Sequence, residues 1–289
     1  LILKLHSRNF MGYTVATENN WFTTNLKQRD TNPLVDFKIT IKPYEFEDYG
    51  FYQNCNNLAK QLHEQNDKLY LCYSGGIDSE FVLKTFYDLG LPITPVIVKT
   101  PFTLREFDYA KKFCDERNIK YELISFGYEC IGEMKKRTID KGWFSLLGGI
   151  PLIVCDYVNQ TGGKLMTGYG DPFSVYPLVQ PNDPISTTLE FSEFDYYLDS
   201  YDETHISSFF TYNLPVFYSL INQISYDLGY QQSKYELYQV EPRVKMFPDK
   251  IFYEVFRSIQ NTTGKYNQFV KEEELFLELE KYRINKWKK

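Results

Sequence analysis

Residues 69–83 read LYLCYSGGIDSEFVL, and the role of the SGGIDS at its centre decides the fold. The run LYLCY before it is strand-like and apolar. SEFVLKTFYDLG, residues 79–90, has helical spacing with Gly90 at its stop. The loop therefore joins a buried strand directly to a helix. Two glycines let a backbone approach a ligand closely and turn successive N–H groups into one concavity. The helix N-terminus adds partial positive charge, and Ser74 and Ser79 supply hydroxyl donors. Such a set suits a phosphate. Asp78 would repel that phosphate unless a divalent cation bridged them, so its place in the loop implies Mg²⁺. A capped strand–helix turn explains an Asp and a Gly, but not both serines together with both glycines.

Working outward, the pattern alternates. TPVIVK (94–99) reads as a second buried strand, TLREFDYAKKFCDERN (103–118) as a helix and KYELISF (120–126) as a third strand. A helical stretch ends near Gln160, and KLMTG (164–168) is a fourth strand. Strands separated by helices of this length predict a parallel sheet with right-handed crossovers, which binds ligands at the carboxyl ends of its strands. Residues 1–65 differ in texture. They are polar and rich in Asn and Thr, with one alternating run, DFKITIKPYEF, that puts Phe37, Ile39 and Ile41 on one strand face. The expected organisation is a small β-rich N-terminal region over 1–65 and the α/β domain over 66–289. A short amphipathic helix from Leu58 to Glu64 leads into the latter.

Composition narrows the classes. Of 289 residues 43% are hydrophobic, as in a folded globular protein, and the net charge of −6 disfavours a broad nucleic-acid-binding face. None of Cys55, Cys72, Cys114, Cys130 and Cys155 forms a CxxC pair, and His6, His63 and His205 lie far apart, which argues against zinc and iron–sulfur sites. The cysteine spacing suggests no disulfide framework. With no charged-then-apolar leader and no apolar run long enough to span a bilayer, a cytoplasmic location is expected.

The strand–SGGIDS–helix unit resembles the pyrophosphate-binding loop SGGxDS of the N-type ATP pyrophosphatases. The resemblance implies an adenine-nucleotide α-hydrolase-like fold, a parallel sheet with helices on both faces. It also implies ATP and Mg²⁺ as cofactors, and cleavage to AMP and pyrophosphate as AMP passes to a carboxylate or carbonyl oxygen. No lysine follows the loop as it does in the Walker motif, so γ-phosphate transfer fits less well. Within that superfamily, KLMTGYGDPF (164–173) looks like the segment carrying SGEGxDE in asparagine synthetases, and VEPRVKMFPD (240–249) like their E-x-R-x-PFLD segment. TYNLPVFYSLI (211–221) falls where those enzymes have an intervening helix. The matches cover roughly residues 69–257, in order.

From the resemblance, Ser74, Gly75, Gly76, Asp78 and Ser79 would hold the β- and γ-phosphates, and Val98, Lys99 and Gly168 would line the nucleotide. Asp78 and Asp171 would hold the metal, with Arg243 and Lys265 as further catalytic groups. Arg105, Lys135, Lys136, Arg137 and Lys245 are other candidates for phosphate contacts, with Glu241 and Asp249 as structural partners. On these expectations Asp78→Asn abolishes turnover and leaves the fold intact. Two departures stand out. Tyr169 occupies the place of the synthetases' catalytic Glu, and the chain shows no N-terminal glutaminase domain. The expected partners are accordingly a small-molecule or nucleotide acceptor and a separate source of ammonia or amine. The acidic helix-like run EEELFLELEKYR (272–283) suggests packing or a homo-oligomer contact. Three readings stay open: an adenylating synthetase, a nucleotide or nucleic-acid base-modifying enzyme using the same ATP chemistry, and a non-catalytic relative.

Overall fold

A computed structural model of the chain describes residues 13–14, 22–24, 39–41, 47–101, 103–127, 129–137, 149–168, 174–175, 187–188, 205–206, 208–223 and 230–240. Three short strands, β1 (Tyr13–Thr14), β2 (Phe22–Thr24) and β3 (Ile39–Ile41), form an antiparallel sheet in that order. Phe22 pairs with Ile41 and Tyr13 with Thr24.

The main sheet follows helix α1 (Phe51–Gln65). Its strands are β4 (Leu69–Cys72), β5 (Thr94–Lys99), β6 (Glu122–Ser125) and β7 (Lys164–Thr167). They run parallel in the order β6-β5-β4-β7. Helix α2 (Ile77–Asp88) connects β4 to β5, and α3 (Leu104–Glu116) connects β5 to β6. Helices α4 (Cys130–Arg137) and α5 (Gly149–Thr161) lie between β6 and β7. The first three strands step one way across the sheet, and β7 then returns to the far side of β4. Right-handed crossovers running in opposite directions put their helices on opposite faces, and the side chains sort accordingly. Leu69, Leu71, Ile97 and Met166 face one core with α1, α2 and α3. Val96, Val98 and Leu165 face the other, against Leu152, Val154 and Val158 of α5. A sheet buried on both sides has continuous apolar strands, which is why TPVIVK reads as a run rather than an alternation.

Helices α6 (Leu214–Gln223) and α7 (Tyr230–Tyr238) add to the first face. There Phe51 of α1, Phe81 of α2, Phe210 and Tyr238 of α7 form an aromatic stack. Phe81 and Tyr238 lie 4.6 Å apart between ring centroids, Phe51 and Phe81 5.2 Å, and Phe210 and Tyr238 5.7 Å. Such pairs add about 0.5–1.5 kcal/mol each beyond the area they bury. Asn54, buried in α1, donates its amide to Asp48 Oδ1 and to the Pro215 carbonyl, tying α1 to α6. Strands β8 (Ser174–Val175) and β9 (Thr187–Thr188) pair antiparallel.

Beside β7, Ile206 forms a parallel bridge to Met166, and the His205 imidazole accepts a hydrogen bond at Nδ1 from the Leu165 N–H. No helix among the described residues is long and apolar enough to cross a membrane. The anticipated helix Leu58–Glu64 is the second half of a longer one. Its first half, FYQNCNN, has Gln53 as its one strong helix former and is held by the Phe51 stack and the Asn54 bonds.

Candidate functional site at the reversal of strand order

Strand order reverses at β4, whose carboxyl end lies beside that of β7, the usual ligand position in an open α/β sheet. Residues 74–79 form the turn after β4 and the first residues of α2. Tyr73 still bonds β5 through its N–H to the Val96 carbonyl at 2.9 Å, and the chain then turns at Gly75 with φ +76°. A Cβ at Gly75 would also lie 2.2 Å from the Glu106 carbonyl oxygen of α3. Conformation and space both demand glycine there. Gly76, in extended conformation, is the N-cap of α2, and no side chain caps that helix.

The two serines meet across the loop. Ser74 Oγ and Ser79 Oγ are 3.1 Å apart, the Gly76 N–H donates to Ser74 Oγ, and the Ser79 hydroxyl donates to the Gly76 carbonyl. Ser74, Gly76 and Ser79, three of the residues that the sequence singled out, thus form one bonded ring at a helix N-terminus. Gly168, just past β7, comes against the same turn, where a Cβ would lie 2.5 Å from Ser79 Cα. Its role is close packing: it lets β7 press against the first turn of α2.

Asp78 lies at the rim with its side chain 21% exposed, and its Oδ1 is 2.5 Å from Lys234 Nζ of α7. The contact is an ion pair by distance rather than a well-aligned hydrogen bond. Lys234 is fully buried, with its ammonium 5.6 Å from the Tyr238 ring centroid. Sequence reasoning missed it. The available signal was a lysine three and four residues before Leu237 and Tyr238, on what becomes the apolar face of a helix. Glu80, the other carboxylate in this turn, is buried and accepts the Tyr73 hydroxyl at 3.1 Å. That bond fastens α2 to β4.

At the end of β5 the Val98 side chain belongs to the core against α5, and its carbonyl accepts the Thr103 hydroxyl. Lys99 Nζ lies 4.7 Å from the Phe107 ring centroid. Among the basic candidates, Arg105 is exposed, Lys135 lies on α4, Lys136 pairs with Glu133, and Arg137 pairs with Asp156 of α5. Tyr169, Asp171, Glu241, Arg243, Lys245, Asp249 and Lys265 lie outside the described residues. The strand that Asp171 follows does neighbour β4, with Cys72 opposite Thr167.

The thiols near the loop are unsuited to nucleophilic work. Burial pushes Cys72 up to about 12, and burial with the nearby Asp115 and Glu80 charges does the same to Cys114. Among the described residues no group of three His, Cys, Asp or Glu could form a metal cage. Mg²⁺ needs none: one or two carboxylates, phosphate oxygens and retained waters complete its octahedron. Asp78, partly exposed beside an anion-type loop, fits that mode.

No protein-family model matches the sequence, and no curated protein does. Among solved structures, the chain is similar to a predicted subunit of a tRNA methyltransferase from Methanocaldococcus jannaschii, at 13% identity over 62% of this chain and 93% of that one, TM-score 0.33. It is similar to NMN synthetase from Francisella tularensis, at 16% identity over 78% and 98%, TM-score 0.34. A third is NH3-dependent NAD synthetase from Campylobacter jejuni, at 16% identity over 68% and 99%, TM-score 0.33. At these scores the likeness is coarse, and the chemistry of the site rests on its own residues.

Proposed function

We propose that the chain binds ATP with the β- and γ-phosphates in the 74–79 loop and cleaves it between the α- and β-phosphates. The observation that carries this is the SGGIDS ring at the N-terminus of α2, placed where strand order reverses. An acceptor oxygen, from a carboxylate or carbonyl, attacks the α-phosphorus and displaces pyrophosphate. An amine or ammonia then attacks the adenylated carbon and releases AMP, forming a C–N bond.

Backbone N–H groups of the loop, the positive end of α2 and the serine hydroxyls stabilise the charge that grows on the leaving pyrophosphate. Asp78 would hold Mg²⁺, whose contribution is neutralisation of the phosphate charge. Asp171, Arg243 and Lys265 are proposed to face the same site, from segments resembling those of asparagine synthetases. Tyr169 stands where those enzymes have a catalytic Glu. A phenol with an ordinary pKa of about 10 is a poor base at neutral pH, and we take the replacement to accompany a changed acceptor, one other than aspartate.

The test is pyrophosphate release from ATP across panels of amino acids, nucleosides and RNA, with adenine-labelled products resolved. AMP and pyrophosphate with at least one acceptor support the reading, and a base-bearing acceptor would move it to nucleotide modification. Formation of ADP and phosphate with the cognate acceptor would overturn it. Efficient asparagine formation from aspartate and ammonia would show that Tyr169 is no barrier.

A further inference from the structure

We propose that Lys234 is an exchangeable counter-ion for Asp78 that makes metal binding depend on the nucleotide. The inference rests on the ATP reading above. The Asp78 carboxylate is held by the Lys234 ammonium at 2.5 Å. A magnesium ion sits about 2.0–2.1 Å from a carboxylate oxygen, so a metal that shared Oδ1 would lie about 4 Å from the ammonium and be repelled by it. A metal on the other oxygen would still lie close to a like charge in a poorly solvated place.

The lysine cannot withdraw into water. It is fully buried, and its helix is fixed in register by the rung next to it. Tyr238, one turn after Lys234, stacks at 4.6 Å on Phe81, which follows Asp78 by three residues. Helices α2 and α7 thus meet at two successive rungs, one ionic and one aromatic. A buried ammonium that moves off a carboxylate is stabilised by another anion. The anion that arrives at this loop is phosphate. Lys234 therefore passes from Asp78 to a phosphate oxygen as nucleotide binds, and Asp78 becomes free to take the metal. By linkage, nucleotide and metal each raise the other's affinity by the same factor.

The experiment measures Mn²⁺ binding by the loss of its free-ion electron paramagnetic resonance signal, with and without α,β-methylene-ATP, each corrected by a protein-free titration because the analogue itself chelates the metal. Binding of that analogue in EDTA is measured by calorimetry. Wild type should bind Mn²⁺ at least about tenfold more tightly with the analogue than without it. Lys234→Met should bind Mn²⁺ alone about tenfold more tightly than wild type, and the metal-free analogue about tenfold more weakly. Lys234→Arg should restore both toward wild type.

Unchanged Mn²⁺ affinity in Lys234→Met, with analogue binding retained, overturns the proposal. Should Lys234→Met fail to fold, the wild-type pair decides: equal Mn²⁺ affinity with and without the analogue overturns it. If wild type binds no analogue under any condition, the ATP reading fails. The Mn²⁺-alone comparison still reports on the competition between lysine and metal.

Discussion

Gly75 and Gly76 are adjacent and chemically identical, yet they should respond differently to the same methyl group. At Gly75 an added Cβ would meet backbone, the Glu106 carbonyl, at 2.2 Å and at φ +76°. Gly75→Ala should lose at least about 2 kcal/mol of stability. At Gly76 the nearest atom is the Ser74 hydroxyl at 3.2 Å, which can rotate away. Gly76→Ala should stay within about 0.5–1 kcal/mol of wild type, and urea unfolding of the two variants checks the contrast. Asp78→Asn should stop pyrophosphate release. Contrary to the sequence-based expectation it should also cost about 1–3 kcal/mol, because Lys234 loses its negative partner inside the fold. Thermal unfolding without ligand reads that loss apart from activity. The turn itself was legible because the end of the strand, the glycines and the start of the helix fall in a few consecutive residues. Lys234 was not, because nothing local to a lysine in a polar helix says which distant carboxylate it meets.

Elements were legible in proportion to how much of their stability is local. TPVIVK begins and ends as a strand where its apolar run does. Helix α1 extends seven residues further toward the N-terminus than its amphipathic signal, since Phe51 and Asn54 draw their stability from α2 and α6. The aromatic stack therefore governs several elements together. Phe210→Ala, at a fully buried position, should destabilise by about 3–5 kcal/mol, measured by urea denaturation.

The edge of β7 depends on a proton. His205 accepts from the Leu165 N–H, and burial, with Lys164 nearby, lowers its pKa below 6.5. The unfolded chain protonates first as pH falls, so this contribution is whole above pH 6.5 and declines below it toward the lowered folded-state value. Unfolding free energy followed from pH 7.5 downward should fall more steeply in wild type than in His205→Gln. Equal slopes would exclude the histidine.

At the scale of the molecule, the alternation of strands and helices announced the parallel sheet, but the side on which β7 returns was not written in any local pattern. That return makes β4 an inner strand and sets the point where strand order reverses. It also sets a schedule for folding. Leu69 pairs with Lys164, so a ribosome adding about 5–20 residues per second leaves β4 with one bare edge for on the order of ten seconds. During that interval the strand bearing the loop is a template for any other extended chain. Closure waits for a long-range contact, which is slow by nature. Aggregation during synthesis should accordingly peak in nascent chains that end between β6 and β7, and subside once Lys164–Thr167 has cleared the exit tunnel.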